Sequence, residues 1–191
     1  MNRTESLQIV KSHLKLPRYE HTIRVADTAI ALAKHYGQPV DKIELAAIFH
    51  DYAKYRDLDE MKRWIETSTT LPKDLLEHHT ELWHGPVGAL LVEREVGVTD
   101  RTILQAIHWH TTGKAFMSTM EKIIFLADYI EPGRKFPGVE AVREQAKQNL
   151  DYALFLALKN TIQHLITHNQ KIYPDTIHAY NYLNSKNKLG D

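Results

Sequence analysis

The chain has 191 residues, enough for one domain with a real core, and its 43% hydrophobic and 25% charged residues are the balance of a globular protein. Its formal net charge is +0, so no global field draws in nucleic acid or an anionic membrane, and phosphate binding must come from locally placed Lys and Arg. The absence of cysteine excludes disulfides, thiolate–zinc sites, iron–sulfur clusters and cysteine nucleophiles, whereas 12 histidines point to nitrogen and oxygen ligands for Fe(II), Mn, Zn, Co or Mg.

The apolar periodicity is helical almost throughout. Thr4 is expected to cap a first helix carrying Leu7, Val10 and Leu14. Pro17 opens a second, with Ile23, Ala26, Ile30 and Ala33 as its core stripe and Gly37 at its end. Asp41 to Glu44 reads as a capping-box variant opening a third helix, which runs through Ile48 and Phe49 into His50 and Asp51. A short polar helix over 59–66 follows, and Thr70-Leu71-Pro72 opens another. A longer helix follows Gly85-Pro86 and ends near Gly97; Asp100 caps the next, which reaches His110. Ser118-Thr119-Met120-Glu121 matches a capping box, and its helix carries Ile123, Ile124, Phe125, Ala127 and Asp128. Two Pro-Gly pairs, Pro132-Gly133 and Pro137-Gly138, bracket a loop. The stretch 139–167 reads as one long helix or a pair broken at Asn149, and Pro174 starts the last helix. The expected fold is all-α, a single domain over 1–184 of nine or ten helices, with a polar, frayed tail over 185–191. No apolar stretch has the length of a membrane span, and the N-terminus is not a signal peptide, so no membrane partner and a cytoplasmic location are expected.

His50-Asp51 closes an apolar run, where a carboxylate and an imidazole are costly to bury unless a divalent cation takes both. Helical neighbours point about 100° apart, so the two share one ion only if other helices bring further ligands. His21 upstream and Asp128 downstream are the candidates. Arg18 lies three residues from His21, and Lys54 lies four from His50, on the same face if that helix continues. A metal ligand flanked by cations suits a polyanionic substrate lying between them, as a phosphate ester would.

His21, then His50-Asp51, then Asp128, in that order on separate helices, resembles the signature of the HD-domain metal-dependent phosphohydrolases, and Lys54 completes the His-Asp-x-x-Lys form. His84-Gly85, His110-Thr111-Thr112-Gly113, Ala127-Asp128-Tyr129-Ile130-Glu131-Pro132-Gly133-Arg134 and Lys171-Ile172-Tyr173-Pro174-Asp175-Thr176 extend the likeness over almost the whole chain, which is similar to the bacterial YqeK family. That resemblance implies an HD-domain helical bundle that hydrolyses diadenosine tetraphosphate symmetrically, giving two ADP by way of a metal-activated water. It implies His21, His50, Asp51 and Asp128 as ligands of a divalent metal, with Fe(II) as the native ion and Mn(II) or Co(II) as substitutes. Lys54, His84, His110 and Asp128 would be catalytic. Arg18, His21, Lys54, His84, His110, Thr111, Asp128 and Arg134 would contact the substrate's phosphates, and Lys171, Ile172, Tyr173, Pro174, Asp175 and Thr176 its nucleoside end. The partner is then a small dinucleoside polyphosphate and no nucleic acid; a homodimer stays open. The alternatives are another HD nucleotide phosphohydrolase, such as a nucleotidase or guanosine alarmone hydrolase, a nucleotide sensor without turnover, and a di-iron oxygenase in which His84 and His110 bind a second iron.

Plainer roles compete for several residues. His84 could cap its helix, Arg18 and Lys54 could be surface cations, and Arg134 a solvated loop residue. Ile103, Ile107 and His110 share a face, which turns His110 inward and His108 away. His164 and His168 have the spacing of a zinc pair without a carboxylate companion and read as surface, as do His13, His35, His78, His79 and His178. Trp64, Trp83 and Trp109 read as core anchors, and Tyr173 either stacks on a base or packs beneath Pro174.

Overall fold

The computed structural model describes residues 1–188 and contains ten α-helices, with no strand among the described residues. They are α1 (Arg3–Lys11), α2 (Leu16–His35), α3 (Val40–Phe49), α4 (Leu58–Thr67), α5 (His84–Leu91), α6 (Arg101–Trp109), α7 (Thr119–Ile130), α8 (Val139–Ala146), α9 (Leu150–Thr167) and α10 (Pro174–Lys188). Two short 3₁₀ helices, Lys73–Glu77 and Thr80–Leu82, link α4 to α5, and a π turn at Val92–Val96 closes α5. The all-helical, single-domain expectation therefore holds. The last helix runs on to Lys188, into the segment expected to fray, and residues 189–191 lie outside the described residues.

Side-chain caps open α1 and α4, whereas α2 and α3 start without one. Asn2, not Thr4, caps α1: its side chain accepts from the Glu5 amide at 3.0 Å while Glu5 accepts from the Asn2 amide at 2.9 Å. No capping box opens α3; Pro39 precedes it, and Asp41 lies in the first turn, where a carboxylate complements the helix dipole. Asp57 caps α4, and Thr70-Leu71-Pro72 leads into a 3₁₀ helix rather than an α-helix. The caps at Asp100 and Ser118 and the break at Asn149 form as expected.

The centre of the bundle is α2, α3, α6 and α7, with α8, α9 and α10 packed on the far side of α7. Ala26, Ala29 and Ala33 on α2 meet Ala46 and Ala47 on α3; all are fully buried, and their short side chains let the two helices approach closely. Next to them, α7 is buried along nearly its whole length through Ile123, Ile124, Phe125, Leu126 and Ala127. Each such large apolar side chain contributes about 1.5–3 kcal/mol by leaving water. Trp83 anchors the core and donates to the Leu75 carbonyl at 2.8 Å, whereas Trp64 and Trp109 are only half-buried.

Gly85 fixes one contact that matters for the site. A Cβ there would lie 2.8 Å from the His108 carbonyl oxygen, so only glycine lets the start of α5 press against the end of α6. That approach sets His84, the first residue of α5, beside His110, the C-cap of α6.

Candidate metal centre

Five helices deliver one side chain or pair each to a common point: His21 from α2, His50 and Asp51 from the end of α3, His84 from α5, His110 from α6 and Asp128 from α7. α3 stops at Phe49, and the chain then turns tightly, with the Tyr52 amide bonded to the Phe49 carbonyl at 3.1 Å and the Lys54 amide to that of Asp51 at 2.9 Å. The shared helical face expected for His50 and Lys54 is therefore lost. Lys54 pairs with Glu81 at 2.5 Å, and the Glu81 carbonyl in turn accepts from His84 Nδ1 at 2.6 Å. The lysine thus stands at the edge of the cluster, one residue away from it.

The imidazoles are held in one tautomer. His50, His84 and His110 each donate Nδ1–H to the carbonyl three residues earlier, of Ala47, Glu81 and Ile107, at 2.6, 2.6 and 2.7 Å. His21 donates Nδ1–H to Glu131 Oε1 at 3.0 Å. In the neutral rings every Nε2 is left with a lone pair facing inward, the arrangement metal-bound histidines use. His21 Nε2 and His50 Nε2 are buried and have no hydrogen-bond partner. The ligand atoms of His21, His50 and Asp51 lie within 4.8 Å of one another, and Asp128 Oδ1 is 3.0 Å from His21 Nε2. Buried acceptors turned toward each other are costly unless positive charge joins them. Two imidazoles and two carboxylates are a donor set for a borderline divalent ion, so these residues fit one.

The electrostatics agree. Burial by itself would raise the Asp51 carboxyl, but His50 and His84 outweigh it and hold it well below its ordinary value. For Asp128, burial is likewise overcome, by His21, His50 and Arg134. Burial lowers His50, yet the neighbouring Asp51 wins and raises it, so the cluster attracts a cation there. His110 goes the other way: burial, with His84 and His50 adding to it, pushes it down to about 3. It is therefore a neutral imidazole whose free nitrogen accepts.

His84 and His110 form a second group on Asp51. Asp51 Oδ1 lies 3.1 Å from His84 Nε2 and 4.0 Å from His110 Nε2, and the two Nε2 atoms are 3.1 Å apart. One ligand atom from each of Asp51, His84 and His110 lies within 4.8 Å of the others, the same closeness as in His21, His50 and Asp51.

Two guanidiniums border the centre. Arg18 reaches Asp51 Oδ2 at 2.9 Å. Arg134 pairs with the Asp128 carboxylate and donates Nε–H to its carbonyl at 2.9 Å. The sequence reading missed Glu131, which is 2% exposed and also takes Arg24 at 2.6 Å and the Gly133 amide at 2.5 Å, so it fixes the His21 ring. Arg24 lies three residues from His21 on α2, but Glu131 is the extended C-cap of α7, so helical spacing from Asp128 does not announce it.

Beside His84 and His110 opens a cavity of about 740 Å³ lined by Thr111, Lys171, Tyr173, Thr176, His78 and Glu81 among others. His78, expected on the surface, is half-buried in this wall; His79 is exposed as expected and also borders the cavity, and His164 and His168 are exposed as expected. Ile172, Pro174 and Asp175 do not line it. Tyr173 neither lies free to stack nor simply sits beneath Pro174; it is buried, edge-on to His78, with its hydroxyl on Asp74 at 3.1 Å.

The HD domain model matches residues 18–133, a span that holds all four expected ligands. The chain belongs to the HD domain family. Two HD relatives, from Halalkalibacterium halodurans and Bacillus subtilis, are 56% and 51% identical over 96% of this chain and 97% and 98% of theirs; both are called symmetrical bis(5′-nucleosyl)-tetraphosphatase. The crystal structure of a Clostridium acetobutylicum protein, described as a predicted HD superfamily hydrolase involved in NAD metabolism, superposes with a TM-score of 0.90 at 35% identity, covering 97% of this chain and 98% of that one. An HD domain implies a divalent metal, and the cluster described above is where this chain would hold it.

Proposed function

We propose that the chain is a symmetrical dinucleoside tetraphosphatase that cuts diadenosine tetraphosphate into two ADP, with Fe(II) as its native ion and the reducing cytosol as its place of work. The observation that carries this reading is the pair of buried Nε2 atoms on His21 and His50 that have no hydrogen-bond partner, converging on the Asp51 and Asp128 carboxylates that Arg18 and Arg134 border. The names of the full-length relatives supply the substrate. A bound divalent ion supplies an acidified water as nucleophile and a positive seat for a phosphate oxygen.

The chain's own residues do the rest. His21, His50, Asp51 and Asp128 hold the ion. Arg18 and Arg134 pair with two of those carboxylates, and with a metal held there both guanidiniums would be free to pair with a polyphosphate. Lys54 adds charge at the His84 edge, where Glu81 now neutralises it. Thr111, Lys171 and the cavity they line receive one nucleoside. The test is incubation with diadenosine tetraphosphate and Fe(II), Mn(II) or Co(II), followed by nucleotide chromatography. Two ADP per substrate are expected; AMP and ATP as main products would overturn the symmetrical reading.

A second reading concerns His84 and His110, for which we first propose phosphate contacts beside a single ion. The convergence of Asp51 Oδ1 and the two Nε2 atoms, which lie 3.1 Å apart, suits a positive charge shared among them, either a proton on one ring or a second cation. Elemental analysis of wild type, His84→Ala and His110→Ala decides. One metal per chain in all three keeps the phosphate role; two in wild type and one in either variant establishes the second ion.

A further inference from the structure

A symmetrical cut requires the enzyme to hold a substrate with the same nucleoside at both ends, and the cavity beside His84 and His110 accounts for one. A second cavity, of about 630 Å³, is lined by Tyr129, the residue after Asp128, and by Phe136, Gly138, Asn160 and Gln163. Thr161 on α9 lines both cavities, so they are neighbours with one helix ridge between them. Both volumes fall in the range of about 300–1,000 Å³ typical of small-molecule pockets.

The second cavity has the parts that hold a base. Tyr129 and Phe136 are half-buried and meet edge-to-face, ring centres 4.9 Å apart at 80°, which leaves ring surface for a flat heterocycle. Asn160 puts a primary amide, both donor and acceptor, in the same wall, the group that pairs with an adenine edge. Gly138 sits at φ +88°, and a Cβ there would fall 2.8 Å from Asn160 Nδ2, so the loop turns close over the amide only because this residue is glycine. Arg134 is two residues before Phe136 in the chain and pairs with Asp128, so the loop that walls the cavity is tied to a candidate metal ligand.

From this placement we infer that the Tyr129–Phe136–Asn160 cavity seats the second nucleoside of the dinucleoside polyphosphate, with Arg134 on the adjoining phosphates. The inference rests on the proposed activity. The order along the molecule becomes nucleoside, diphosphate, metal centre, diphosphate, nucleoside. No further polar group is needed to explain why the cut falls in the middle.

The test uses the metal-loaded full chain, wild type and two variants. Phe136→Ala removes the stacking surface, and Gln163→Trp fills the cavity from an exposed position on α9 that folding does not depend on. Equilibrium dialysis with ADP is expected to give two ADP per chain in wild type and one in each variant. KM for diadenosine tetraphosphate is expected to rise on the order of tenfold or more, the size of one lost base stack. One ADP per chain in wild type, or two in both variants, would overturn the seat. A wild type that binds two ADP but cleaves no diadenosine tetraphosphate would sink the activity and leave the seat standing.

Discussion

The metal centre and the strand of chain that walls it, residues 171–176, treat their polar groups in opposite ways. In the strap the protein itself satisfies them: Lys171 donates to the Glu77 carbonyl at 2.9 Å, Tyr173 to Asp74 at 3.1 Å, and Thr176 to the Thr112 carbonyl at 2.9 Å. In the centre, His21 Nε2 and His50 Nε2 are equally buried and accept no hydrogen bond, and Asp51 Oδ2 is met only by the Arg18 guanidinium at 2.9 Å. A fold tolerates such atoms only where something from outside completes them, because each costs about 1–3 kcal/mol when left alone. Satisfied groups mark scaffold and unsatisfied ones mark the place a ligand enters. The resemblance at the level of sequence assigned both regions to the ligand; the centre meets it with polar atoms that lack hydrogen bonds, and residues 171–176 meet it with a cavity wall whose polar groups the protein already holds in place.

The largest expected effect comes from removing the carboxylate that both His groups share. Asp51→Ala takes away the one residue in contact with His50, His84 and Arg18 together. Metal content, read by elemental analysis, is expected to fall below about a tenth of wild type, and turnover by at least 10²–10³-fold. A variant that kept stoichiometric metal and normal turnover would erase the distinction between the two regions, since the orphaned atoms would then mark nothing.

Next in size is Glu131, which is buried like a ligand but satisfied like scaffold. Its carboxylate is held low because Arg24, the Gly133 amide and His21 together outweigh the effect of burial. It acts on the metal through His21 alone. Glu131→Gln keeps the shape but weakens the grip on Nδ1–H, and metal affinity measured by competition with a chelator is expected to drop about 10–100-fold. Excess metal should restore kcat. Loss of kcat that saturating metal does not recover would move Glu131 into contact with the substrate.

The convergence of His21, His50, Asp51 and Asp128 was legible in the chain, through local pattern together with the ordered likeness to HD domains. His50-Asp51 ends an apolar run, and His21 and Asp128 sit on helices whose apolar stripes fix which way they face. The helix ends at Asn149 and Ser118 were legible for a similar reason, as each carries its own cap. What escaped depended on partners distant in sequence. Glu131 meets His21 across 110 residues, and Lys54 meets Glu81 across 27. No local pattern announces either pair. His78 escaped because the 3₁₀ turns between α4 and α5 have no periodicity, so nothing in the sequence shows which side of them faces the cavity.

The smallest and sharpest test sets two threonines of the same wall against each other. Thr176 donates its buried hydroxyl to the Thr112 carbonyl, whereas the buried Thr111 hydroxyl has no partner. Thr176→Val keeps the volume and strands the Thr112 carbonyl, which should cost about 1–3 kcal/mol. For a chain of this size that lowers Tm by roughly 2–4 °C per kcal/mol. Turnover should stay within about twofold once the protein is folded. Thr111→Val removes a hydroxyl the protein does not use, so Tm should hold or rise slightly. Its effect should instead fall on KM for the dinucleoside substrate, raised by about three- to tenfold for one neutral hydrogen bond. The two variants make the same chemical change, a hydroxyl for a methyl, about one helical turn from the same cavity. If stability and KM shift together in both, the satisfied and unsatisfied groups of this wall have a single job, and the division drawn between scaffold and ligand seat fails.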